Sequence, residues 1–163
     1  MCYTMRSMDA TDIRIVELLG EDGQLSNREV ARRIGLSEGA VRQRLTRMMA
    51  SGKVRICAQV NVEEMADQYM AIVAIKLDGR HLTECAEQVD KLQGVQSTMI
   101  VTGQYDLIVT LLLDSRQGLV DFVTKQLSLV PGVRESETFV VLKTMNHWIR
   151  ADALTNTPGS RAE

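Results

Sequence analysis

Residues 26–55, SNREVARRIGLSEGAVRQRLTRMMASGKVR, contain eight basic side chains and two acidic ones. The whole chain of 163 residues has a net charge of -2, so subtracting the +6 of this segment leaves -8 for the remainder. Positive charge is therefore concentrated in one short stretch of an otherwise acidic protein. Such a distribution is typical of a surface that binds a polyanion such as nucleic acid.

Two helices are predicted within this segment. Ser26 and Glu29 form the Ser-x-x-Glu pattern of a capping box, which satisfies two unpaired backbone donors at a helix start. Gly35 predicts the end of this helix, because glycine tolerates the left-handed backbone just past a helix. Ser37 is placed to cap a second helix, which ends near Gly52. Two short helices joined by a tight turn predict a helix-turn-helix, whose second helix enters the major groove of DNA.

The second helix has a buried side and a free side. Val41, Leu45 and Met48 recur at i, i+4 and i+7, so we expect them to face the core. The free side and the basic residues around it supply the candidate DNA contacts. These are Arg28, Ser37, Gly39, Arg42, Gln43, Arg44, Thr46, Arg47 and Lys53.

The candidates suggest different roles. Gly39 would allow close approach to the duplex, while Arg42 and Gln43 have the geometry to bond purine edges bidentately. Arg44 lies on the flank of the apolar stripe and is either a phosphate ligand or a structural ion-pair partner. A merely solvated charged face is the alternative, but the coincidence of a capping box, two glycine stops and the +6 charge favours DNA binding. Phosphate contacts are expected from Arg28, Arg47 and Lys53.

A third helix is expected ahead of this pair. Residues 9–20 carry apolar side chains at helical intervals, with Asp9 or Thr11 as the cap. This helix supplies the core that a small helical domain needs. We therefore assign residues 1–53 to one DNA-binding domain.

Several other kinds of site find no support in the sequence. No run of about 18 apolar residues occurs, so we expect a cytoplasmic protein that does not contact membranes. Cys2, Cys57 and Cys85 lie far apart without CxxC spacing, which favours neither a disulfide framework nor a zinc site. His81 and His147 are 66 residues apart. Without a nucleophile beside a base or a phosphate loop, we expect no enzymatic activity, no metal and no cofactor.

After the basic segment the hydrophobic period changes to two. Alternation over residues 54–62 predicts a lone strand, which would pair with a sheet edge elsewhere or with its twin in another subunit. Residues 63–69 read as a polar connector. Residues 54–69 are therefore predicted to link two domains.

Residues 70–150 contain an internal repeat. An apolar run from Met70 to Leu77 precedes a helix and a strand, and a run from Asp106 to Leu113 precedes another helix and a last strand to about Thr144. The Gly-Val pairs that follow the two helices are 38 residues apart. Two tandem halves predict an α+β fold, a ferredoxin-like β-α-β-β-α-β sandwich with both helices on one face. We expect the tail, residues 151–163, to be disordered.

The uncovered face of this sheet is predicted to be apolar. Ile72 and Ala74 alternate with Val73 and Ile75, whereas a sheet open to water alternates apolar and polar residues. We therefore expect a homodimer about a two-fold axis. Two recognition helices would then suit half-sites roughly 34–36 Å apart on the DNA.

The hairpin between the two halves reads VTGQYDL, with a two-residue turn predicted at Gly103-Gln104. Gly103 could be there only to make that turn. Its neighbours in the sequence are polar, however. Asp106 could bind a ligand ammonium group, while backbone N–H groups left unpaired near the glycine could bind a ligand carboxylate. A free amino acid presents that pair of charges. The candidate effector contacts are Thr102, Gly103, Gln104, Tyr105 and Asp106.

The order of these motifs resembles the Lrp/AsnC, or feast/famine, transcription regulators. Their helix-turn-helix pattern LS-x-x-x-V-x-x-R-x-x-R stands here at Leu36, Ser37, Val41, Arg44 and Arg47, and the resemblance spans residues 9–147. It implies a C-terminal domain that forms dimers, often octamers, and binds small effectors, usually amino acids, between subunits. By the same resemblance the strand at residues 54–62 would pair with its counterpart in the dimer.

The family's effector motif, Gly-Asp/Glu-Tyr-Asp, matches Gly103, Tyr105 and Asp106, with Gln104 in place of the acid. The resemblance also implies contacts from hydroxyl residues on the last strand, here Ser136 and Thr138. The alternative is that these two side chains are polar only because they face water. We therefore expect a DNA-binding transcription regulator switched by an amino acid or a similar metabolite. The alternative is an amino-acid sensor or a regulatory subunit of a metabolic enzyme, with the basic segment as a protein-docking arm.

Overall fold

The computed structural model describes residues 8–64, 68–79 and 81–151. It contains two compact units, Met1–Cys57 and Ala58–Glu163. The predicted disordered tail lies outside the described residues from position 152 onward. Within the described ranges, no helix combines the length and the apolar character needed to cross a membrane.

The first unit contains three helices, α1 (Ala10–Glu21), α2 (Asn27–Ile34) and α3 (Glu38–Ala50). The chain turns from α2 to α3 through Gly35, whose φ of 72° lies in the left-handed region that favours glycine. The apolar sides of the three helices meet in one core, which confirms the predicted helix-turn-helix domain. The buried core residues include Ile15, Leu18, Val30, Val41, Leu45 and Met48.

The start of α2 differs from the prediction in one respect. Ser26 Oγ accepts a hydrogen bond from the Glu29 N–H at 3.2 Å, which is the first half of the predicted capping box. The Glu29 carboxylate is engaged instead by Arg32 and Arg33, one turn further along the helix. Charge-assisted hydrogen bonds from guanidinium groups are stronger than a bond from a backbone N–H. The reciprocal half of the box is therefore replaced by ion pairs.

The second unit has the element order of two β-α-β halves. Its sheet is antiparallel, and the strands are ordered β3 (Val95–Ile100), β4 (Leu107–Leu113), β2 (Tyr69–Leu77) and β5 (Val133–Val140), which confirms the predicted ferredoxin-like fold. The last strand of that sheet ends at Val140 and not near Thr144 as predicted. The elements are β1 (Gln59–Asn61), β2 (Tyr69–Leu77), α4 (Leu82–Asp90), β3 (Val95–Ile100), β4 (Leu107–Leu113), α5 (Arg116–Asp121), β5 (Val133–Val140) and β6 (Trp148–Arg150).

The second helix of this unit is not a continuous α-helix. After α5 the chain forms a π-helical turn, Phe122–Gln126, and then a 3-10 turn, Leu127–Leu129. The Leu127 N–H donates to the Phe122 carbonyl, and this bond between residues five apart aligns two buried side chains. Phe122, Leu127 and Val130 are buried in this segment, although its helix type was not predicted.

The linking strand is shorter than predicted. β1 has three residues and pairs antiparallel with β6 of the same chain, with Val60 opposite Ile149. Residues 54–58 are outside any strand, and the Val54 N–H donates to the Met48 carbonyl while its side chain packs against the first core. The alternation that begins at residue 54 thus partly reflects packing against α3. The strand predicted over residues 54–62 is therefore confined to residues 59–61 and pairs with β6 within the chain, while pairing with a twin strand of a second subunit stays a prediction.

The sheet of the second unit has two different faces. Val73 and Ile75 are fully buried on the face that packs against the helices. On the other face Ile72 lies opposite Phe139, which is 48 % exposed, and Met99 on β3 is 43 % exposed. The open face therefore keeps the apolar side chains that the sequence predicted.

Candidate DNA-binding surface and effector loop

The predicted division of α3 into two sides is present. Val41, Leu45 and Met48 are buried against the other helices. Because the second helix of a helix-turn-helix offers its outer side to the major groove, the opposite side is the candidate DNA surface. All five predicted residues on that side are exposed. This reading face consists of Gly39, Arg42, Gln43, Thr46 and Arg47.

Gly39 has no steric reason inside the protein to be glycine. It lies in the first turn of α3, and a Cβ built there meets no atom within 4 Å. At Gly94, by contrast, a Cβ would stand 2.4 Å from Leu113 Cδ2. The missing side chain at Gly39 therefore leaves room outside the protein, where a duplex would approach.

Arg42 is paired with an acidic residue one turn earlier in α3. Its Nη2 donates to Glu38 Oε1 at 2.6 Å, and the two side chains are 65 % and 45 % exposed. Exposed pairs at this helical spacing contribute little to stability. Arg42 can therefore exchange Glu38 for an acceptor on a base edge at low cost.

Arg44 and Arg47 are both engaged by acidic residues at the start of α1. Arg44 Nη1 donates to Asp9 Oδ2 at 2.5 Å and to Asp12 Oδ1 at 2.8 Å. Arg47 Nη2 donates to both oxygens of Asp12, at 3.1 and 2.9 Å. Of the two roles left open for Arg44, the structure shows the ion-pair partner. Arg47 combines a structural contact with a largely exposed side chain.

Asp12 was not among the residues predicted from the sequence. Asp9 caps α1 by accepting the Asp12 N–H at 2.8 Å, and the Asp12 carboxylate reaches back to the Asp9 N–H at 3.4 Å. This is a complete capping box, and Asp9 rather than Thr11 is the cap. The Asp-x-x-Asp spacing was a usable signal for the cap. It does not reveal the arginines 32 and 35 residues later in the chain.

The other predicted DNA contacts lie outside the reading face. Arg28 is exposed in the first turn of α2, and Lys53 is exposed in the turn that follows α3. Ser37 Oγ caps α3 by accepting the Ala40 N–H at 3.2 Å, so its hydroxyl has a structural role. The exposure of Arg28 and Lys53 is compatible with phosphate contacts on either side of the recognition helix.

The hairpin between β3 and β4 carries the predicted effector residues. It is closed by the Val101 N–H and the Asp106 carbonyl at 2.9 Å, which leaves residues 102–105 in the loop. The predicted two-residue turn is therefore wrong. Gly103 has a φ of 129°, in the region that favours glycine. Thr102, Gly103 and Gln104 are exposed, whereas Tyr105 and Asp106 are half-buried.

Asp106 is held by β2, which explains the longer loop. Its N–H donates to the Ile75 carbonyl at 2.9 Å, and its Oδ2 accepts the Leu77 N–H at 2.7 Å. These bonds draw Asp106 towards the end of β2. One carboxylate oxygen is thereby fixed, and the group is presented in a defined position beside the loop.

Tyr105 connects the loop to β5. Its hydroxyl donates to Glu137 Oε2, and this hydrogen bond raises the pKa of the Tyr105 phenol. Glu137 was not among the predicted site residues. The signal that could have indicated it is its position between the two hydroxyl residues singled out on the last strand.

Ser136 and Thr138 do not meet the loop within one chain. They lie opposite Ile75 and Val73, whose side chains belong to the helix-covered core. Since successive residues of a strand point to opposite faces, Glu137 lies on the other side of β5. The structure thus brings the loop together with Glu137 and leaves the hydroxyl pair on the opposite face.

A separate cavity of about 380 Å³ lies at the start of α4, lined in part by Asp78, His81 and Cys85. Cys85 Sγ donates to the Pro131 carbonyl at 3.2 Å, and burial raises the pKa of its thiol, which makes it a poor nucleophile. Within the residues that the structure describes, no three His, Cys, Asp or Glu side chains are grouped to hold a metal ion.

Comparison with known proteins identifies both units. The AsnC-type helix-turn-helix domain matches residues 8–49, and the Lrp/AsnC ligand binding domain matches residues 70–147. The chain belongs to the Lrp/AsnC family. An uncharacterized HTH-type transcriptional regulator of Pyrococcus abyssi (strain GE5 / Orsay) is 30% identical over 142 residues, 86% of this chain and 89% of the relative. The HTH-type transcriptional regulator FL11 of the same organism is 30% identical over 139 residues, which cover 85% of this chain and 91% of FL11.

Solved structures agree with this family. The transcriptional regulator NMB0573 of Neisseria meningitidis, in complex with L-Met, has a TM-score of 0.67 and 27% identity over 86% of this chain and 94% of that chain. AsnC of E. coli has a TM-score of 0.65 and 19% identity, with coverage of 85% of this chain and 94% of that chain, and it shows the shared fold. This Lrp/AsnC protein is therefore a transcriptional regulator with a helix-turn-helix DNA-binding domain and a ligand-binding domain. The names of its relatives point to a regulatory and not an enzymatic role.

Proposed function

We propose that this Lrp/AsnC regulator recognises specific DNA sequences through the reading face of α3. The observation that carries the proposal is the exposure of all five residues of that face, which presents Arg42 and Gln43 beside the open space at Gly39. Arginine bonds guanine bidentately and glutamine bonds adenine in the same way. Arg28, Arg47 and Lys53 would supply sequence-independent phosphate contacts. Because such a regulator works where the chromosome is, we also propose a cytoplasmic location.

A homodimer is the second part of the proposal. The open face of the sheet exposes apolar side chains such as Met99 and Phe139, and a second copy of the chain would cover them. A dimer presents two reading faces, which suits a pseudo-palindromic site with half-sites roughly 34–36 Å apart. Association of dimers into an octamer is proposed from the family resemblance alone.

An amino acid is the proposed effector. Asp106 Oδ2 is held by Leu77, so the second oxygen of the carboxylate can accept a ligand ammonium, and backbone N–H groups near Gly103 can hold a ligand carboxylate. The L-Met bound to the Neisseria regulator supports this class of ligand. Ser136 and Thr138 lie on the opposite side of β5 from Glu137, so they would join the site from a second subunit.

Selection of duplexes from a random library, followed by titrations at several salt concentrations, tests DNA recognition. We expect one enriched motif, bound with a Kd near or below about 10⁻⁸ M at physiological salt. Arg28→Ala or Lys53→Ala should weaken binding to the selected and a scrambled duplex alike and flatten the salt dependence. If no duplex is enriched or bound, the protein is better explained as an amino-acid sensor that does not bind DNA.

The effector is tested by thermal unfolding of the full chain with each of the twenty amino acids. A ligand that prefers the folded protein must raise the unfolding midpoint. The D-enantiomer of any active amino acid is the matched control and should have no effect. If all twenty leave the midpoint unchanged, the amino-acid assignment fails while the DNA-binding proposal stands.

A further inference from the structure

One carboxylate is buried beside the recognition helix. Asp12 is 4 % exposed, and it is the one buried charged residue in the described part of the chain. A buried charge is costly unless it is paired and fully hydrogen-bonded, and a buried pair is not by itself a source of stability. The position of Asp12 beside two recognition-helix arginines therefore suggests a role in DNA binding.

Asp12 accepts hydrogen bonds at both carboxylate oxygens. Oδ1 accepts from Arg44 Nη1 at 2.8 Å and from Arg47 Nη2 at 3.1 Å. Oδ2 accepts from Arg47 Nη2 at 2.9 Å and from the Asp9 N–H at 3.4 Å. Asp9 itself accepts from Arg44. Two acids and two arginines thus form a neutral network, which we call the α1–α3 ion network.

The two arginines of this network differ in exposure. The Arg44 side chain is 28 % exposed and has two carboxylate partners, whereas that of Arg47 is 61 % exposed and is bound by Asp12. Arg47 donates both of its hydrogen bonds to Asp12 from Nη2. Its Nε and Nη1 donors are therefore not used by Asp12 and can bind an acceptor outside the protein.

We propose that Asp12 is a positioning residue for DNA binding that acts through Arg47. The proposal rests on the DNA-binding function proposed above. Asp12 holds one edge of the Arg47 guanidinium, so a phosphate contact by the remaining donors requires less loss of side-chain freedom. Arg44 neutralises Asp12 and reduces the repulsion between this carboxylate and the phosphates.

Charge alone and the positioning role predict opposite effects of Asp12→Asn on the affinity for DNA. Removal of a negative side chain near DNA should strengthen binding, whereas loss of positioning should weaken it. We expect Asp12→Asn to raise the Kd by roughly three- to tenfold, part of the cost of ordering a free arginine side chain. The slope of log K against log salt should fall in magnitude by up to about 0.9, the value for one phosphate contact.

Asp9→Asn is the matched control, because it makes the same charge change at the neighbouring acid of the network. Asparagine is as good an N-cap as aspartate, so the start of α1 should be preserved. Asp9 contacts Arg44 and not Arg47 among the described residues. Asp9→Asn should therefore keep the salt slope of the wild type.

A double-mutant cycle tests whether Asp12 acts through Arg47. Fluorescence anisotropy with the selected duplex would compare the wild type, Asp12→Asn, Arg47→Ala and the double variant, with circular dichroism as the check of folding. We expect Arg47→Ala to reduce the slope by about 0.9, and Asp12→Asn to add no further weakening in that background. Equal weakening by Asp12→Asn in both backgrounds would show ordinary structural support and overturn the proposal.

Arg47→Lys gives an independent test that leaves Asp12 in place. Lysine keeps the charge but cannot offer one edge to Asp12 and another to a phosphate. It should bind the duplex more weakly than the wild type, and wild-type affinity would overturn the positioning role. A wild-type protein that binds no duplex would overturn this proposal together with the proposed function, whereas an unchanged affinity and slope in Asp12→Asn would overturn this proposal alone.

Discussion

Replacing Gly39 by alanine should stabilise the first unit and weaken DNA binding at the same time. Glycine costs about 0.5–1 kcal/mol relative to alanine in a helix, and a Cβ at this position meets no atom within 4 Å that would offset the gain. Because Gly39 lies in the first turn of α3, we expect the lower end, about 0.5 kcal/mol. Urea denaturation followed by circular dichroism at 222 nm would measure the change.

The effect on DNA binding follows from the place where the new methyl group lies. It would extend from the exposed reading face and hold the helix away from the base edges. Loss of one bidentate base contact corresponds to about 1–3 kcal/mol, so the Kd for the selected duplex should rise by a factor of about 5 to 150. Fluorescence anisotropy at fixed salt concentration would measure it.

Gly20→Ala provides the control for this experiment. Gly20 is also a helical glycine with no atom within 4 Å of an added Cβ, but it lies in α1 and outside the helix-turn-helix. This variant should be more stable and bind DNA as the wild type does. A Gly39→Ala protein that gained stability and kept its full affinity would refute close approach at Gly39. A loss of stability would refute the argument that its surroundings are open.

Three further predictions concern other parts of the protein. Substituting Arg42 and Gln43 together by alanine should relax sequence preference while binding to a scrambled duplex persists, and repeated selection from random duplexes would show a retained motif if this is wrong. Gly94→Ala should destabilise the second unit by more than about 1 kcal/mol, because the φ of Gly94 is 85° and the added Cβ would clash with a leucine of β4. An unchanged unfolding midpoint would contradict this prediction. Hydrogen bonds from Arg32 and Arg33 lower the pKa of Glu29 from 4.5 to about 2, so the contribution of this carboxylate to stability should be complete above pH 4.5 and lost as the pH falls towards 2. An NMR titration of the Glu29 carboxyl with its midpoint near 4.5 would disprove that shift.

The helix-turn-helix was predictable because its determinants are local. The buried side of α3 follows from the spacing of Val41, Leu45 and Met48, which depends on helical geometry alone. Gly35 marked the turn because few other residues adopt left-handed backbone readily. The apolar open face of the ferredoxin-like sheet followed from strands whose successive residues are all apolar, because successive side chains point to opposite faces.

The rest depends on contacts between distant segments. Asp12 meets Arg47 across 35 residues, and no local pattern contains the crossing of α1 and α3 that brings them together. The candidate effector loop, residues 102–105, is longer than a tight turn because β2 holds Asp106 through Leu77, 29 residues earlier. The short β1 strand likewise required its partner β6, which lies at the other end of the unit. Sequence patterns describe the faces of such elements but not what each face meets.

The three arginines of α3 differ in exposure, and therefore in how readily each can leave its acidic partner to bind DNA. The pair of Arg42 with Glu38 is exposed on both sides, so exchange of Glu38 for a base costs little. Arg44 is bound to the buried Asp12, and breaking such a pair would leave a buried charge without a partner. Arg47 is bound to the same carboxylate from an exposed position. Arg44 and Arg47 are paired with acids of α1 that lie outside residues 26–55, so the +6 charge of that segment overstates what attracts DNA. The proposed DNA recognition would therefore depend on how these guanidinium groups are held as well as on how many there are.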